Sequence, residues 1–300
     1  MRVDPLSQPD RKRSTKSARW LALVVAHLML LTANAVAQNG SGETYTPKEL
    51  QQHFQNVAEA YKIQAGRAIL TLRKRPLMNW QNSVRQQEQG AIFAWEKSGR
   101  PNVLASIFTY QLDDRIYCRH EVISLADKPL KAVFQSQSVW SPQQPGLQWK
   151  AVDGVAAPTE SAARRLTKMR SIARQFSGTL SIPDSQPSQL DLIPQPLIRY
   201  EAPDENVIDG AIFSLAVATD PEIFLVIEAR EAADGSLGWH YAASRSHYQA
   251  LSLSRHGQLV WTAAPVAELA NTKPGQLPWA NDPYFIFTPS LPLPAPEDLR

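Results

Sequence analysis

The sequence predicts an α+β, β-rich fold built from two pseudo-symmetric repeats, each a helix followed by a curved antiparallel β-meander. Each half of the chain opens with apolar residues at helical spacing and then changes to the period-two alternation of strands. A shift of 120 residues also aligns the halves, with 13 identities among the 56 positions of 70–125. Ordinary composition would give roughly three to four, so we expect an internal duplication.

The matches between the halves cluster in the predicted strands. They pair Gly90-Ala91-Ile92-Phe93 with Gly210-Ala211-Ile212-Phe213, Pro101 with Pro221, His120 with His240 and, after one inserted residue, Val139-Trp140 with Val260-Trp261. Two unrelated meanders that share turn chemistry are the alternative explanation.

The first 37 residues have the three regions of a secretory signal peptide. Residues 1–19 carry six Lys or Arg, residues 20–31 are apolar apart from His27, and the segment ends in Ala35-Val36-Ala37. The apolar run has about 12 residues, whereas a membrane-spanning helix needs about 20. We expect cleavage near Ala37 and a flexible leader over 38–45, with an uncleaved N-terminal anchor as the alternative.

Cleavage would change the charge of the chain. The full sequence has a formal charge of +3, and residues 1–37 hold six basic and two acidic residues, so 25 Lys and Arg and 26 Asp and Glu remain. Nucleic-acid binding needs a clustered basic excess, and no nucleic-acid partner is expected. No transmembrane helix is predicted in the mature chain, which we expect to be periplasmic or extracellular. The single cysteine, Cys118, excludes an intramolecular disulfide.

Repeat 1 is predicted over 46–152. Its helix begins at Thr46, followed by Pro47 and the capping-box residue Glu49. Strands are predicted at about 68–73, 77–82, 89–96, 102–112, 115–125, 130–135, 137–141 and 147–152.

Repeat 2 is predicted over 153–270, with a helix capped by Thr159 and a loop insertion at 177–189. Its strands are predicted at about 189–193, 197–202, 209–217, 222–230, 238–246, 249–254 and 258–263. The tail 271–300 is rich in proline, and we expect it to be extended and laid across the sheet by Trp279, Tyr284, Phe285 and Phe287.

The usual catalytic signatures are missing from the sequence. It has no G-x-S-x-G motif, phosphate loop or dinucleotide fingerprint, and His120-Glu121 lacks a second His at the zincin spacing. We therefore assign no catalytic residue, no metal ligand and no cofactor. The candidate ligand-binding residues are His120, His240, Trp140 and Trp261, which pair between the repeats. Half-buried histidines within their sheets and tryptophans in a shared core are the structural alternatives.

Several segments resemble an exported protein family of planctomycete bacteria that has no established activity. They are 169–176 (MRSIARQF), 192–200 (LIPQPLIRY), 209–213 (DGAIF), 219–230 (TDPEIFLVIEAR) and 145–150 (PGLQWK). The resemblance implies a bacterial envelope setting and transfers no catalytic or binding residue.

The favoured function is a non-enzymatic cell-envelope protein that binds a ligand or partner through its concave sheets or the seam between halves. The partner would be an envelope protein, a glycan or a small ligand. One alternative is a His-dependent hydrolase or metal-binding enzyme that uses His120 and His240. Another is a lipid or acyl-chain clasp, which would need a continuous apolar cavity under the helices.

Overall fold

A computed structural model describes residues 37–38, 44–82, 88–266 and 269–299. The predicted signal peptide, apart from Ala37, and most of the predicted leader lie outside these residues. No helix in the described part of the chain is long and apolar enough to cross a membrane. Two α-helices pack with antiparallel sheets, which confirms the α+β, β-rich class.

The first helix begins where the sequence predicts. Helix α1 spans Pro47–Glu59, and its capping box is complete because the Thr46 hydroxyl accepts from the Glu49 amide and the Glu49 carboxylate accepts from the Thr46 amide. The strands of this half are β1 (Ala37–Gln38), β2 (Thr44–Tyr45), β3 (Tyr61–Ala65), β4 (Ala68–Ile69), β5 (Thr71–Leu72), β6 (Met78–Asn82), β7 (Glu88–Lys97), β8 (Arg100–Leu112), β9 (Arg115–Ser124), β10 (Leu130–Phe134) and β11 (Gln137–Trp140).

The second half contains helix α2 over Ala162–Ala173, capped by the Ser161 side chain rather than by the predicted Thr159. Its strands are β12 (Lys150–Ala151), β13 (Phe176–Ser181), β14 (Ser188–Ala202), β15 (Val207–Val217), β16 (Asp220–Glu231), β17 (Leu237–Arg245), β18 (Ala250–Arg255), β19 (Gln258–Ala263) and β20 (Tyr284–Phe287). The segment 177–189, predicted as a loop, forms most of β13 and the start of β14.

The strands form two principal sheets. In the first half a six-stranded sheet has the order β20-β9-β8-β7-β5, with β6 also paired to β7, beside a four-stranded sheet β11-β10-β3-β4. The second half forms one eight-stranded sheet, β12-β17-β16-β15-β14-β13-β18-β19. The proline-rich tail, predicted to lie across the sheet, packs Leu293 into the first apolar cluster. It adds β20 to the edge of β9, with Tyr284 opposite Ile123 and Phe287 opposite His120.

Three buried apolar clusters define the layers of the fold. Leu50 and Phe54 of α1 pack on one face of the first sheet, and Met169 of α2 packs on one face of the second. The third cluster lies between the remaining faces of the two sheets, where residues such as Leu104 and Phe224 are fully buried. The order of layers is therefore helix, sheet, sheet, helix, and the two halves share the central cluster.

Candidate functional site

His120 lies in the first apolar cluster and is fully buried. Its ring is surrounded by those of Tyr61, Phe134 and Phe287, with centroids 5.2–5.7 Å away. Its Nδ1 is 2.8 Å from the Tyr61 hydroxyl, and its Nε2 has no hydrogen-bond partner among the described residues. Burial lowers the pKa of His120 to about 3. The imidazole is therefore neutral and enclosed by aromatic rings.

His240 does not occupy the position equivalent to His120. In the first half Ile107 pairs with His120, whereas Ile227, its counterpart at a shift of 120, pairs with Tyr241. A one-residue offset moves a side chain to the opposite face of a sheet. The predicted equivalence of the two histidines is therefore wrong: His120 faces α1, while His240 shares a face with Ala242 of the central cluster.

The environment of His240 is more open than that of His120. It is half-buried on β17, directly opposite Glu228 and next to Ala151 of β12. Burial and the nearby Arg230 charge lower the pKa of His240. Across the described parts of the chain, no group of three or more His, Cys, Asp or Glu side chains is arranged to hold a metal ion.

The two candidate tryptophans have different surroundings. Trp140 is buried, its indole N–H donates to the Asp282 carbonyl at 2.7 Å, and its ring stacks on Phe285. It therefore anchors the chain that leads into β20. Trp261 of β19 lies opposite Leu253 of β18 and is only partly buried. Trp261 lines a large surface cleft, to which the other three predicted site residues do not contribute.

That cleft has a volume of about 780 Å³ and is named here the edge cleft. Strands β17 and β19, at or near opposite ends of the eight-stranded sheet, both line it. Across the gap, the Lys150 ammonium at the β12 end donates to the Val260 carbonyl of β19. The second sheet therefore curls until its ends face each other. The aromatic side chains of the cleft are Tyr241, Trp261, Trp279 and Tyr284, and the charged ones are Lys150, Arg245 and Asp282.

Arg245 orders one end of the edge cleft. Its guanidinium donates to three backbone carbonyls, those of His247, Ala264 and Gln249, at 2.7–2.8 Å. It also lies 4.9 Å from the centre of the Tyr284 ring. Burial lowers the pKa of Arg245 and raises the pKa of Tyr284. The loops that follow β17 and β19 are thus held together around one partly buried side chain.

The edge of β17 is open toward this cleft. Strand β12 pairs only with His240 and Tyr241. The Trp239 carbonyl accepts from Val152 on the β12 side, whereas the Ser246 amide donates to Glu222 on the β16 side. Because main-chain groups alternate along a strand, those of Ala243 point away from β16. They have no backbone partner among the described residues. No sequence signal indicated this opening, which depends on the short length of β12.

A buried ionic cluster joins the halves at another place. The fully buried Glu228 carboxylate accepts from Arg100 of β8 at 3.1 Å, from the Tyr200 hydroxyl at 2.5 Å and from Arg230 at 2.6 Å. The Arg230 guanidinium lies 3.7 Å from the centre of the Trp149 ring. Because hydrogen bonds and ring contacts occupy these charged groups, we assign the cluster a structural role.

Comparison of the chain with protein-family models, with curated proteins and with solved structures finds no match.

Proposed function

We propose that this chain is an exported, non-enzymatic protein of the bacterial cell envelope that holds a ligand or partner in the edge cleft. The observation that carries the proposal is the juxtaposition, in one cleft, of an open strand edge at Ala243 with the partly buried Trp261 and Trp279. The composition of residues 1–37 and the resemblance to exported planctomycete proteins support the envelope setting.

The chemistry of the cleft suits an amphipathic ligand. Aromatic rings offer large contact areas at low conformational cost, and indole and phenol groups add polar atoms. Lys150 and Arg245 give the lining two positive charges against one negative charge at Asp282. The cleft therefore favours an occupant with apolar groups and at least one hydrogen-bond acceptor or anionic group.

We also propose that the two halves descend from a duplication. Bulges support this, because the register shifts at Trp95/Glu96 and at Leu215/Ala216, 120 positions apart. A second pair of strand-register shifts lies directly after Ala132 and directly after Leu253, and these two residues are 121 positions apart.

Glycines at matched positions support the same ancestry. A Cβ at Gly90 would lie 2.6 Å from the Trp80 ring, and one at Gly210 would lie 2.6 Å from the Tyr200 ring. In each half, an aromatic ring covers a strand glycine at the corresponding position.

The two alternative functions have less support. A joint His120 and His240 site is disfavoured because the side chains occupy opposite faces of their sheets and aromatic rings enclose His120. An acyl-chain clasp is disfavoured because Leu50 and Phe54 under α1, and Met169 under α2, fill the region where it needs a cavity.

Native mass spectrometry of the full chain, as processed by the cells that produce it, tests the proposed function. We expect a bound molecule on the wild type and on Leu259→Ala, and its loss from Trp261→Ala. Leu259 is the matched control because it lies two residues away on β19, is 64% exposed and does not line the cleft. Retention of the molecule by a folded Trp261→Ala variant would contradict the assignment of the cleft, and a chain with neither a bound ligand nor a co-isolated partner protein would contradict the function.

A further inference from the structure

We propose that the occupant of the edge cleft is an extended peptide segment of a partner protein, which adds to β17 as an antiparallel strand. This inference rests on the proposed function and names the partner class for the same cleft. Exposed strand edges are common sites for peptide addition, because main-chain hydrogen bonds supply affinity and alternate side chains supply specificity.

The first half of the molecule contains the corresponding strand addition within the chain. Strand β20 pairs with residues 120–123 of β9, and the Pro283 carbonyl accepts from the Ser124 amide. The pairing of β9 with β8 and of β17 with β16 relates β9 to β17 by a shift of 121 residues. By this shift, the edge of β9 that β20 covers corresponds to residues 241–245 of β17. There β12 ends at Tyr241, so the edge that β20 covers in one half faces a cleft in the other.

The orientation of the main chain agrees between the two edges. The Ser124 amide points toward β20, so the even-numbered residues of β9 face the added strand. The offset of 121 turns these into the odd-numbered residues of β17, which include Ala243 and Arg245. These are the residues whose main chain points away from β16. An added strand would find its hydrogen-bonding groups in the same register as β20 finds them on β9.

The side chains of β20 indicate which sequence suits such a site. Phe285 and Phe287 enter the first cluster, whereas Tyr284 and Ile286 enter the central one, so both faces of the added strand are apolar. In the edge cleft, Trp261 of β19 and Trp279 and Tyr284 of the tail provide apolar contacts. We infer an extended partner segment with consecutive apolar and aromatic residues. The chain's own β20 cannot fill the cleft because it is already paired with β9.

A synthetic peptide with the sequence of residues 281–290 (NDPYFIFTPS), carrying two N-terminal lysines for solubility, serves as the probe. We expect saturable binding to the full processed chain by isothermal titration calorimetry. Ala243→Pro removes the amide N–H that faces the cleft while leaving the β16 ladder intact. Binding should weaken about tenfold, and Ala243→Gly, which keeps the N–H, should bind within about threefold of the wild type.

A second comparison uses only the wild-type protein and does not depend on how the variants fold. Peptides N-methylated at the positions of Phe285 and Phe287 lose the amide groups that would face β17, whereas methylation at Tyr284 and Ile286 blocks the opposite edge. Binding should be lost only with the first pair. Absence of peptide binding, or equal effects of the two methylation patterns, would overturn strand addition.

The two proposals can fail separately. A Trp261-dependent ligand in native mass spectra together with no peptide binding would retain the cleft and overturn the peptide assignment. A glycan or lipid identified in those spectra would also overturn it. Absence of any Trp261-dependent ligand, with peptide binding that Ala243→Pro does not weaken, would overturn both proposals.

Discussion

Acidification should destabilise the folded chain through His120. The ring is fully buried among Tyr61, Phe134 and Phe287, and burial lowers its pKa to about 3. In the unfolded chain the same histidine has a pKa of about 6.5. Below pH 6.5 the unfolded state therefore takes up a proton that the folded state does not bind. The free energy of unfolding falls with pH until the folded-state pKa is reached.

The size of this effect follows from the pKa difference. Each pH unit between the two pKa values changes the free energy of unfolding by about 1.4 kcal/mol. The loss from His120 alone should thus reach about 3 kcal/mol at pH 4. The double variant Tyr61→Phe/His120→Phe removes the titrating ring and the hydroxyl that would otherwise lose its partner, and phenylalanine suits the surrounding rings.

Urea unfolding of the wild type and the double variant at pH 7, 6, 5 and 4 measures the effect. Buried carboxylates change the stability of both proteins with pH, so the difference between the two curves isolates His120. The wild type should lose about 3 kcal/mol more than the variant between pH 7 and pH 4. Parallel pH profiles would refute the reasoning, because they would mean that the folded state accommodates the protonated imidazole.

Three further changes test the packing between and within the halves. Glu228→Gln should destabilise the chain by about 1.5–3 kcal/mol, because it removes the charge that two arginines share while Arg100 keeps its ion pair with Glu205, whereas Glu231→Gln, exposed on the same strand, should cost less than about 0.5 kcal/mol in urea unfolding. Phe224→Ala, in the central cluster, should cost about 3–5 kcal/mol, with one unfolding transition by both fluorescence and circular dichroism; two separate transitions would argue against a shared core. Gly210→Ala should lower the melting temperature, since its Cβ would meet the Tyr200 ring at 2.6 Å, and an unchanged melting temperature would contradict that contact.

Local patterns predicted many of the elements. The capping box at Thr46 and Glu49 located the start of α1, and the alternation over 115–125 and 222–230 closely matched β9 and β16. These predictions succeeded because helix caps and strand alternation are determined by residues close together in the chain.

The histidine pair shows where the sequence comparison failed. The match of His120 with His240 follows from an ungapped shift of 120, but the strand pairings place Ile107 opposite His120 and Ile227 opposite Tyr241, which is a shift of 121. The two hairpins turn over different lengths, 113–114 in one half and 232–236 in the other. Loops tolerate insertions, so a chance identity just beyond the turn could not reveal the true register.

The edge cleft lay beyond sequence reasoning for another reason. It depends on which segments cover the sheet edges, and those pairings join residues far apart in the chain, as β20 joins β9 and β12 joins β17. The sequence suggested a strand over 147–152, whereas only residues 150–152 bond to β17. That shortening leaves the main chain of Ala243 without a strand partner among the described residues where it lines the cleft beside Trp261.

Amide hydrogen exchange along β17, with and without the 281–290 peptide, tests the central claim most directly. The amides of Ala243 and Arg245, which face the cleft, should exchange at least about tenfold more slowly when the peptide is bound. The amides of Ala242 and Ser244, which face β16, are internal controls and should change little. Unchanged exchange at Ala243, or equal protection of odd and even positions, would contradict the account.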